Sequence, residues 1–571
     1  MEKRWVIKEQ GAPDKVREMA KELNVSEIIA NLLVQRNITT YEEARVFFRP
    51  QLSDLHDPFL MKDMDKAIDR LDKAIRLNQR ILVYGDYDVD GTTAVALVYS
   101  FLRKRHQRLG YYVPDRYNEG YGVSFQGIDY AVENSYDLII ALDCGIKAID
   151  KAEYAKNNGI DLIICDHHNP DETLPNAVAV LDPKRKDCDY PYKELSGCGV
   201  GFKLIQGYCQ YKKIDEAEIN RYLDLVVVSI GSDIVPITGE NRILAHYGLL
   251  QLNSSPCIGL KSIIDLSGLN DTEIQINDIV FKIGPRINAA GRMESGSRAV
   301  ELLISENSKI AETNAAEINL INSDRKELDH SITDQALAQI EENVDLKHLK
   351  STVVYEPHWH KGVIGIVASR LTETYYRPTV VLTLSNGLVT GSARSVPGYN
   401  LYNAIESCSD LLENFGGHMY AAGLSMKLEN VEIFKQRFEE YVSNTIEDHM
   451  LTPSILIDSK LEIKDITPKF YRILKQFAPF GPENMMPMFM SENIYDNGSV
   501  RKVGKTEDHL KLRIIQQLGA NLCIEGIAFN FGYMYNKIKN YQQFSVCYHV
   551  FENNFMGQSL IQLMIKDIKV R

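Results

Sequence analysis

The strongest constraint on the fold of this chain is a series of short apolar runs that recur between residues 80 and 235. Stretches with the apolar spacing of helices separate these runs. Apolar strands that alternate with helices predict a parallel sheet that is covered on both faces. The four runs occupy residues 81–84, 138–142, 162–165 and 178–181. The sequence therefore predicts an α/β domain, to which we assign residues 77–240.

Acidic and imidazole side chains cluster at the ends of these runs. Three of the four runs end directly in loops that contain aspartate, and ligands bind at the carboxyl ends of the strands in such sheets. The candidate ligands are Asp86, Asp88 and Asp90 after the first run, Asp143 after the second, Asp166, His167 and His168 after the third, and Asp233 in segment 228–236, which we interpret as a further loop. Crowded carboxylates repel one another unless cations are present. Carboxylate and imidazole ligands without cysteine suit Mn²⁺ or Mg²⁺ better than structural zinc.

The first acidic loop also matches the opening of an EF-hand, because Asp86, Asp88 and Asp90 alternate and Gly91 follows them. An EF-hand needs glutamate at loop position twelve and a helix before the loop. Position twelve here is Leu97, and a strand-like run precedes the loop. The sequence therefore does not support an EF-hand.

The rest of the chain divides by its patterns into four further regions. We predict a helical segment at 1–76, a helical extension with a long linking helix or helix pair at 241–345, a second α/β domain at 346–448, and a β-rich domain resembling an OB-fold at 453–571. Strands in the second α/β domain are expected at 351–355 and 379–383, and a strand in the last domain at 544–550.

Composition limits the setting in which the chain works. Its formal net charge is -13, the opposite of the usual sign for a nucleic-acid-binding domain, but a local basic groove is compatible with that total. The 9 cysteines include no CxxC pair, which predicts free, mostly buried thiols in a reducing compartment. We therefore expect a cytoplasmic protein. We expect no membrane span and no secretory signal, because the chain lacks apolar runs of the necessary kind.

The order and spacing of the acidic motifs resemble those of the DHH phosphoesterase family. The resemblance implies that two Mn²⁺ or Mg²⁺ ions are held by Asp88, Asp90, Asp143, His167 and Asp233, with Asp86 as a further ligand or neighbour. It also implies that His168 faces the phosphate and that Asp166 orients an imidazole. Two such ions hydrolyse a phosphodiester by binding its oxygens and activating a water molecule.

Motifs in the second half of the chain resemble the substrate-binding half of the same family. Gly416, Gly417 and His418 are similar to a motif of the accompanying DHHA1 domain. Ser392 with Arg394, and the segment 284–292, resemble the exonuclease branch of the family more specifically. That resemblance implies that Arg286 or Arg292, together with Ser392 and Arg394, grips a terminal 5′-phosphate. It also implies that His418 lies against the scissile nucleotide.

The final domain resembles the OB-like module that such exonucleases place against single-stranded DNA. Modules of this kind combine a basic groove with aromatic rings on which bases stack. The candidate groove residues are Lys502, Lys505, Lys511 and Arg513, and the candidate stacking residues are Phe529, Phe531 and Tyr533. An alternative interpretation is that these side chains are ordinary surface charges and barrel core.

Taken together, the resemblance implies a monomeric 5′-to-3′ exonuclease specific for single-stranded DNA, acting in recombination and repair beside a single-strand-binding protein and a repair helicase. The alternatives are another DHH phosphodiesterase, of the oligoribonuclease or cyclic-dinucleotide type, a manganese pyrophosphatase, and a non-catalytic DHH scaffold. The length of the chain and its β-rich end disfavour the first. The glycine-rich motif before His418 disfavours the second, and the intact set of acidic ligands disfavours the third.

Overall fold

The four apolar runs form the parallel sheet that their pattern predicts. A computed structural model describes residues 2–343, 348–555 and 558–570. Its strands are β1 (Arg4–Ile7), β2 (Ile81–Gly85), β3 (Leu109–Tyr112), β4 (Leu138–Leu142), β5 (Asp161–Cys165), β6 (Ala179–Leu181), β7 (Thr352–Tyr355), β8 (Thr379–Ser385), β9 (Leu388–Arg394), β10 (Leu412–His418), β11 (Ala421–Met426), β12 (Ser454–Ile457), β13 (Ser459–Lys460), β14 (Phe489–Asp496), β15 (Arg501–Val503), β16 (His509–Ile515), β17 (Ile524–Ala528), β18 (Phe544–Phe555) and β19 (Gln558–Val570).

Helices surround this sheet and connect it to the rest of the chain. They are α1 (Pro13–Leu23), α2 (Glu27–Val34), α3 (Tyr41–Phe48), α4 (Met64–Arg76), α5 (Val89–Arg103), α6 (Phe125–Glu133), α7 (Ile149–Asn157), α8 (Gly197–Lys212), α9 (Ala217–Asn220), α10 (Leu223–Ser232), α11 (Gly239–Ser254), α12 (Ile258–Leu266), α13 (Ile276–Asp278), α14 (Gly284–Met293), α15 (Ser297–Leu303), α16 (Ser308–Glu342), α17 (Ile364–Tyr375), α18 (Leu401–Glu406), α19 (Val431–Thr445), α20 (Pro468–Lys475) and α21 (Tyr535–Ile538). None of the helices in the described part of the chain is both long and apolar enough to cross a bilayer.

The first sheet has five strands in the order β3-β2-β4-β5-β6, and every neighbouring pair is parallel. Every residue of β2 and β4 is buried. Such continuous burial requires cover on both faces of the sheet, and the apolar side chains on the two faces belong to two separate cores. The carboxyl ends of the strands are therefore left as the accessible edge.

The long linking helix predicted near residue 300 is a single helix of 35 residues, α16. At the usual rise per residue it is about 50 Å long. Ala311, Ala315 and Ile318 pack into the core of the first domain, whereas Ile332 and Ala336 pack into a core with α17 and β8. One rigid helix thus belongs to both lobes. The expected boundary near 345 falls at residues 344–347, which lie outside the described part of the chain.

The second α/β domain and the C-terminal domain have the expected sheets. The former has the order β10-β11-β9-β8-β7, in which only β7 and β8 are parallel. The latter has the order β13-β14-β18-β19-β17-β16-β15, and an additional pairing of β14 with β16 closes five of its strands into a barrel. The architecture is therefore α/β with a β-rich, OB-like end, as predicted.

Two local predictions were wrong. Segment 1–76 is not helical throughout, because Arg4–Ile7 is a strand that pairs in parallel with Ser454–Ile457. Its partner lies far away in the sequence, so no local pattern reveals the pairing. Segment 228–236 is not simply a loop, because residues up to Ser232 belong to helix α10 and Asp233 is its C-terminal cap. An apolar run buried on all sides is compatible with either a strand or a helix.

Candidate metal centre and substrate cleft

The register of the parallel sheet brings four aspartates to one edge. Gly85 pairs with Leu142, Leu142 with Cys165, and Cys165 with Leu181. The residue directly after each of these four strands is an aspartate, and the four aspartates are Asp86, Asp143, Asp166 and Asp182. Sequence reasoning missed Asp182, although it follows the fourth apolar run directly. All four runs, and not three of them, are therefore followed directly by aspartate.

Asp88 and Asp90 are held by helix termini. Asp88 caps the N-terminus of α5, where its Oδ1 accepts a hydrogen bond from Gly91 N at 3.0 Å. Asp90 is almost fully buried and accepts hydrogen bonds of 2.7 Å from the backbone N–H groups of Gly197 and Cys198. Helix N-termini attract negative charge, so these bonds fix both carboxylates near the sheet edge.

Asp86 lies deepest of the three alternating carboxylates. It is fully buried, and its Oδ1 accepts a hydrogen bond from Gly122 N at 3.2 Å. Its Oδ2 is buried without a hydrogen-bond partner among the described residues. Burial and the charge of Asp88 raise the pKa of Asp86 well above its ordinary value. A nearby cation would reverse that rise, because it stabilises the ionised carboxylate.

His167 forms the centre of the cluster. Its Nε2 lies 3.2 Å from Asp143 Oδ1, 3.6 Å from Asp233 Oδ2 and 3.7 Å from Asp90 Oδ2. Both ring nitrogens of His167 and Asp143 Oδ1 are buried without hydrogen-bond partners in the described parts of the chain. Buried polar atoms are rarely left in this state. Two groups of side chains are close enough to hold an ion, Asp143 with His167 and His168, and Asp90 with His167 and Asp233, and such oxygen and imidazole donors fit Mn²⁺ or Mg²⁺.

The protonation equilibria of the cluster point the same way. Burial and the charges of Asp90 and Asp88 raise the pKa of Asp143 well above its ordinary value and that of Asp233 to about 8. Burial lowers the pKa of His167. A neutral imidazole among several carboxylates that cannot all ionise alone is the electrostatic setting of a divalent cation site.

His168 lies beside this cluster, with a ring nitrogen within 4.8 Å of ligand atoms of Asp143 and His167, and pairs with Asp166. Its Nδ1 lies 2.7 Å from Asp166 Oδ1, and Asp166 also accepts a hydrogen bond of 2.9 Å from Ile146 N. Burial opposes the charges on both groups, yet their mutual hydrogen bond lowers the pKa of Asp166 to about 2 and raises that of His168 to about 9. In the metal-free protein, His168 is therefore an imidazolium at neutral pH. Its side chain is 38% exposed, so the charge is available to a substrate.

Tyr121 is a second residue that sequence reasoning missed, and no sequence signal marks it. Its hydroxyl donates a hydrogen bond of 3.0 Å to the carbonyl of Asp143 and lies 3.2 Å from Nε2 of His168. The ring lines a cleft of about 690 Å³ that also includes Lys361 and Gly416. The cleft therefore lies between Tyr121, which bonds the backbone of Asp143, and the second α/β domain.

Arg292 lies next to the first acidic loop, because the neighbouring Gly291 packs against the backbone of Tyr87. Burial, reinforced by the charges of Arg116, Arg325 and Arg394, lowers its pKa to about 10. The charge of Asp88 acts in the opposite direction. Arg292 is therefore close enough to Asp88 and to three other arginines to feel their charges. Such a concentration of positive charge beside a metal cluster is suited to a phosphate.

Arg286 lies elsewhere. Its Nε donates a hydrogen bond to Asn319 Oδ1 at 3.0 Å, and its Nη1 donates to the carbonyl of Lys282 at 2.6 Å. These bonds hold Arg286 against the linking helix α16, which carries Asn319, and against the turn before α14, which carries Lys282. The structure thus groups Arg292, and not Arg286, with the other predicted phosphate-binding residues.

The predicted residues of the second domain share one face of its sheet. Arg394 Nη1 donates a hydrogen bond of 3.1 Å to Ser392 Oγ. Across the sheet Arg394 pairs with Ala421, and Ala421 pairs with His418. His418 and Arg394 are therefore two strands apart on one row.

The glycines before His418 differ in their structural role. Gly417 has a φ of +146°, and a Cβ there would overlap the carbonyl of Ala421. Only glycine fits that position without a shift of the backbone. A Cβ on Gly416 would meet no atom within 4 Å, so the space beside this residue in the cleft is open.

The C-terminal candidates are only partly available. Lys511 and Arg513 form ion pairs with Glu525 at 3.1 Å and 3.4 Å, so their charges are partly neutralised. The Phe531 and Tyr533 rings stack with centroids 5.8 Å apart. Tyr533 is 69% exposed, whereas Phe531 packs against the barrel core. The outer ring of this pair is the one that a base can reach.

Comparison with known proteins assigns the same three domains. Residues 80–230 match the DHH family, N-terminal domain, residues 348–444 match the DHHA1 domain, and residues 457–567 match the RecJ OB domain. These ranges cover the sheet with the acidic edge, the sheet with Arg394 and the closed barrel.

Similar proteins extend over the whole chain. It is 37% identical over 571 residues to the single-stranded-DNA-specific exonuclease RecJ of Bacillus subtilis (strain 168), covering 99% of this chain and 71% of that protein. It is 32% identical to the exonuclease of the same name from Escherichia coli (strain K12), covering 89% of this chain and 90% of that protein. The crystal structure of RecJ in complex with Mn²⁺ from Thermus thermophilus covers 100% of this chain and 80% of its own, with a TM-score of 0.84 and 26% identity. The chain therefore belongs to the RecJ family, and its DHH, DHHA1 and RecJ OB domains follow one another in that order.

Proposed function

We propose that this chain is a metal-dependent exonuclease that degrades single-stranded DNA from its 5′ end, in recombination and repair. The observation that carries the proposal is a carboxylate–imidazole cluster with buried atoms that lack hydrogen-bond partners among the described residues, and the proximity of Arg292 both to Asp88 of that cluster and to three further arginines. The first feature suits divalent cations and the second suits a terminal phosphate. Membership of the RecJ family supports DNA as the substrate.

Asp88, Asp90, Asp143, His167 and Asp233 would hold two Mn²⁺ or Mg²⁺ ions, with Asp86 beside them. When bound, two such ions supply Lewis acidity and an activated water molecule. In support, RecJ structures similar to this one carry Mn²⁺ or Mg²⁺. The backbone N–H groups that bond Asp90, and the helix terminus at Asp88, keep these two ligands in place before any ion arrives.

His168 acts on the reacting phosphate. Asp166 holds the imidazolium in one orientation and keeps it protonated at neutral pH. In hydrolysis, water adds to the phosphorus and the bond to the O3′ atom of the terminal nucleotide breaks. The imidazolium donates a hydrogen bond to the phosphate or a proton to O3′. The products are a mononucleotide and a strand that again begins with a 5′-phosphate.

The 5′-to-3′ direction of cleavage follows from the binding of the terminal 5′-phosphate. Arg292, Ser392 and Arg394 bind the terminal 5′-phosphate, and His418 lies beside the first nucleotide. A terminal phosphate is a dianion and therefore gains more from clustered arginines than an internal phosphodiester does. Only the end of a strand carries such a group, which makes the enzyme an exonuclease. Because the shortened strand carries a new 5′-phosphate, the cycle repeats without a change of substrate type.

The C-terminal module would bind the strand behind the cleft, with Tyr533 as a stacking surface and Lys502 and Lys505 as exposed charges. We propose a monomer in the cytoplasm that acts beside a single-strand-binding protein and a repair helicase. Nine free cysteines, of which Cys523 alone is fully exposed, suit a reducing compartment.

The test uses purified protein with Mn²⁺ and 5′-phosphorylated single strands labelled at the 3′ end. Matched duplexes, RNA strands, pyrophosphate and a 5′-hydroxyl strand are assayed in parallel, with Asp143→Ala as the inactive control. Shortening of single-stranded DNA from its 5′ end supports the proposal. Cleavage of pyrophosphate or very short RNA alone would assign a different DHH activity, and no reaction with any divalent ion would favour a scaffold.

A further inference from the structure

A loop of the C-terminal module is bound tightly to the catalytic domain. This connecting loop, residues 476–485, leads from the end of helix α20 towards strand β14. Its Phe477 is fully buried, and the ring packs edge-on against Phe47 and Phe48 of helix α3, with centroids 5.3 Å and 5.4 Å away. The loop therefore joins the barrel to the N-terminal helices and to the DHH domain.

One arginine of the helical extension that follows the DHH domain holds the connecting loop through its backbone. Arg242, on the first turn of helix α11, is 4% exposed. Its guanidinium donates hydrogen bonds to four consecutive carbonyls of the loop, those of residues 476–479, at 2.8–3.4 Å. Its Nε donates to the carbonyl of Phe47 at 3.0 Å. All five bonds go to main-chain oxygens, so the fork fixes the path of the backbone directly.

Two further side chains, Asn484 and Arg36, take part in this joint between the connecting loop and Arg242. Asn484 Nδ2 donates to the carbonyls of Phe477 and Pro479 at 2.8 Å and 2.9 Å. Arg36 Nε donates to Asn484 Oδ1 at 2.8 Å. The carbonyl of Phe477 thus accepts from both Arg242 and Asn484, and the loop is held from two sides.

The joint lies next to a predicted metal ligand. Asp233 ends helix α10, and the four residues after it lead to Ile237. The backbone N–H of Ile237 donates a hydrogen bond of 2.9 Å to the carbonyl of Pro482 in the connecting loop. A Cβ on Gly481 would meet Ile237 Cγ1 at 2.5 Å, so the two segments are in close contact. The same loop therefore contacts both helix α11 and the segment that follows the metal cluster.

We propose that Arg242 is a positioning residue, which sets the place of the C-terminal module relative to the metal centre. It thereby determines how tightly the enzyme binds strands long enough to reach both. The inference rests on the proposed function. Arg242 contacts neither the metal cluster nor the proposed phosphate-binding residues, so its loss should leave the rate of hydrolysis unchanged. Its effect should appear only with substrates that use both sites at once.

The experiment compares Arg242→Met with the wild type on two 5′-phosphorylated DNA substrates in the full chain. One is a trinucleotide, which fills the cleft alone, and the other is a strand of about 20 nucleotides, long enough for an OB-type site as well. We expect KM for the long strand to rise about tenfold, the effect of losing about one base-stacking contact with a displaced C-terminal module. We expect kcat on both substrates, and KM for the trinucleotide, to stay unchanged.

The matched control is Arg70→Met, because Arg70 is buried to a similar degree but pairs with Asp161 elsewhere in the DHH domain. It should lower the melting temperature without changing the ratio of the two KM values. Asn484→Ala, a milder change of the same joint, should raise KM for the long strand alone if Arg242→Met fails to fold. Equal changes for both substrates, or none, would overturn the inference. A wild type that cleaves neither DNA would instead overturn the proposed function.

Discussion

Nε2 of His167 lies 3.2 Å from Oδ1 of Asp143, yet neither atom has a hydrogen-bond partner among the described residues. Buried polar atoms almost always form hydrogen bonds, so two such atoms close together without one are unusual. Their arrangement, with Asp90 and Asp233 within 3.7 Å of the same nitrogen, is stable when a cation lies between them.

Metal binding should therefore stabilise the fold. We expect Mn²⁺ at a hundred times its Kd to add about 2.7 kcal/mol to the free energy of unfolding, because it binds the native state only. Thermal unfolding with and without a chelator measures this. Asp143→Asn should remove most of the gain, whereas Asp129→Asn, a surface change on helix α6, should keep it. An equal gain in all three proteins would argue against the assigned site.

Loss of Asp143 should also abolish hydrolysis. We expect Asp143→Asn to lower kcat by about a thousandfold or more, because electrostatic stabilisation of the transition state is lost. Calorimetric titration with Mn²⁺ should show fewer bound ions at the same time. A variant that keeps full ion binding but loses activity would make Asp143 something other than a ligand.

The pair of His168 and Asp166 gives a pH-dependent signature in the metal-free protein. The His168 imidazole should titrate at about 9, and Asp166→Asn should bring its pKa towards the ordinary value of about 6.5. Because the pKa of His168 is raised on folding and that of Asp166 is lowered, the pair adds stability that is complete between about pH 4 and 6.5, is lost as the pH rises through 9 and is lost as the pH falls through 2. NMR of the imidazole ring carbon follows the titration.

The control for this titration is Asp171→Asn. Asp171 is an exposed carboxylate near the same loop that pairs with Lys147 at 3.4 Å. It should leave the His168 titration where it is. If both variants shift the pKa equally, general surface charge and not the hydrogen bond sets its value.

The two candidate arginines should differ in their contribution to substrate binding. We expect Arg292→Gln to raise KM for 5′-phosphorylated strands by about tenfold to a hundredfold, the range for a charge-assisted hydrogen bond. Strands with a 5′-hydroxyl should be far less affected. Arg286→Gln, whose side chain bonds Asn319 and Lys282, is the matched control and should leave KM nearly unchanged. The reverse pattern would transfer the phosphate contact to Arg286.

Local patterns predicted much of this fold. The strand at residues 138–142 is apolar throughout and is followed by Asp143, so both its type and its active edge follow from the sequence. The strand Arg4–Ile7 was missed because its partner, Ser454–Ile457, is distant in the chain. Asp233 was placed correctly, in the turn after helix α10, but residues 228–232 before it were wrongly placed on the same loop, since an apolar run does not reveal a helix buried on all sides.

The site was predicted in the same uneven way. Residue types and order indicated the acidic cluster, because metal ligands must be of particular kinds. They did not distinguish Arg292 from Arg286, which lie on one helix and differ only in what surrounds them. Tyr121 and Arg242 carry no motif, because their importance comes from contacts that exist only after folding.

Because helix α16 packs into the cores of both lobes, neither lobe unfolds without disturbing the other. A change in the separation of the two lobes would require this helix to bend or to break its packing against one of the two cores. We therefore expect the lobes to keep nearly the same separation when a strand binds.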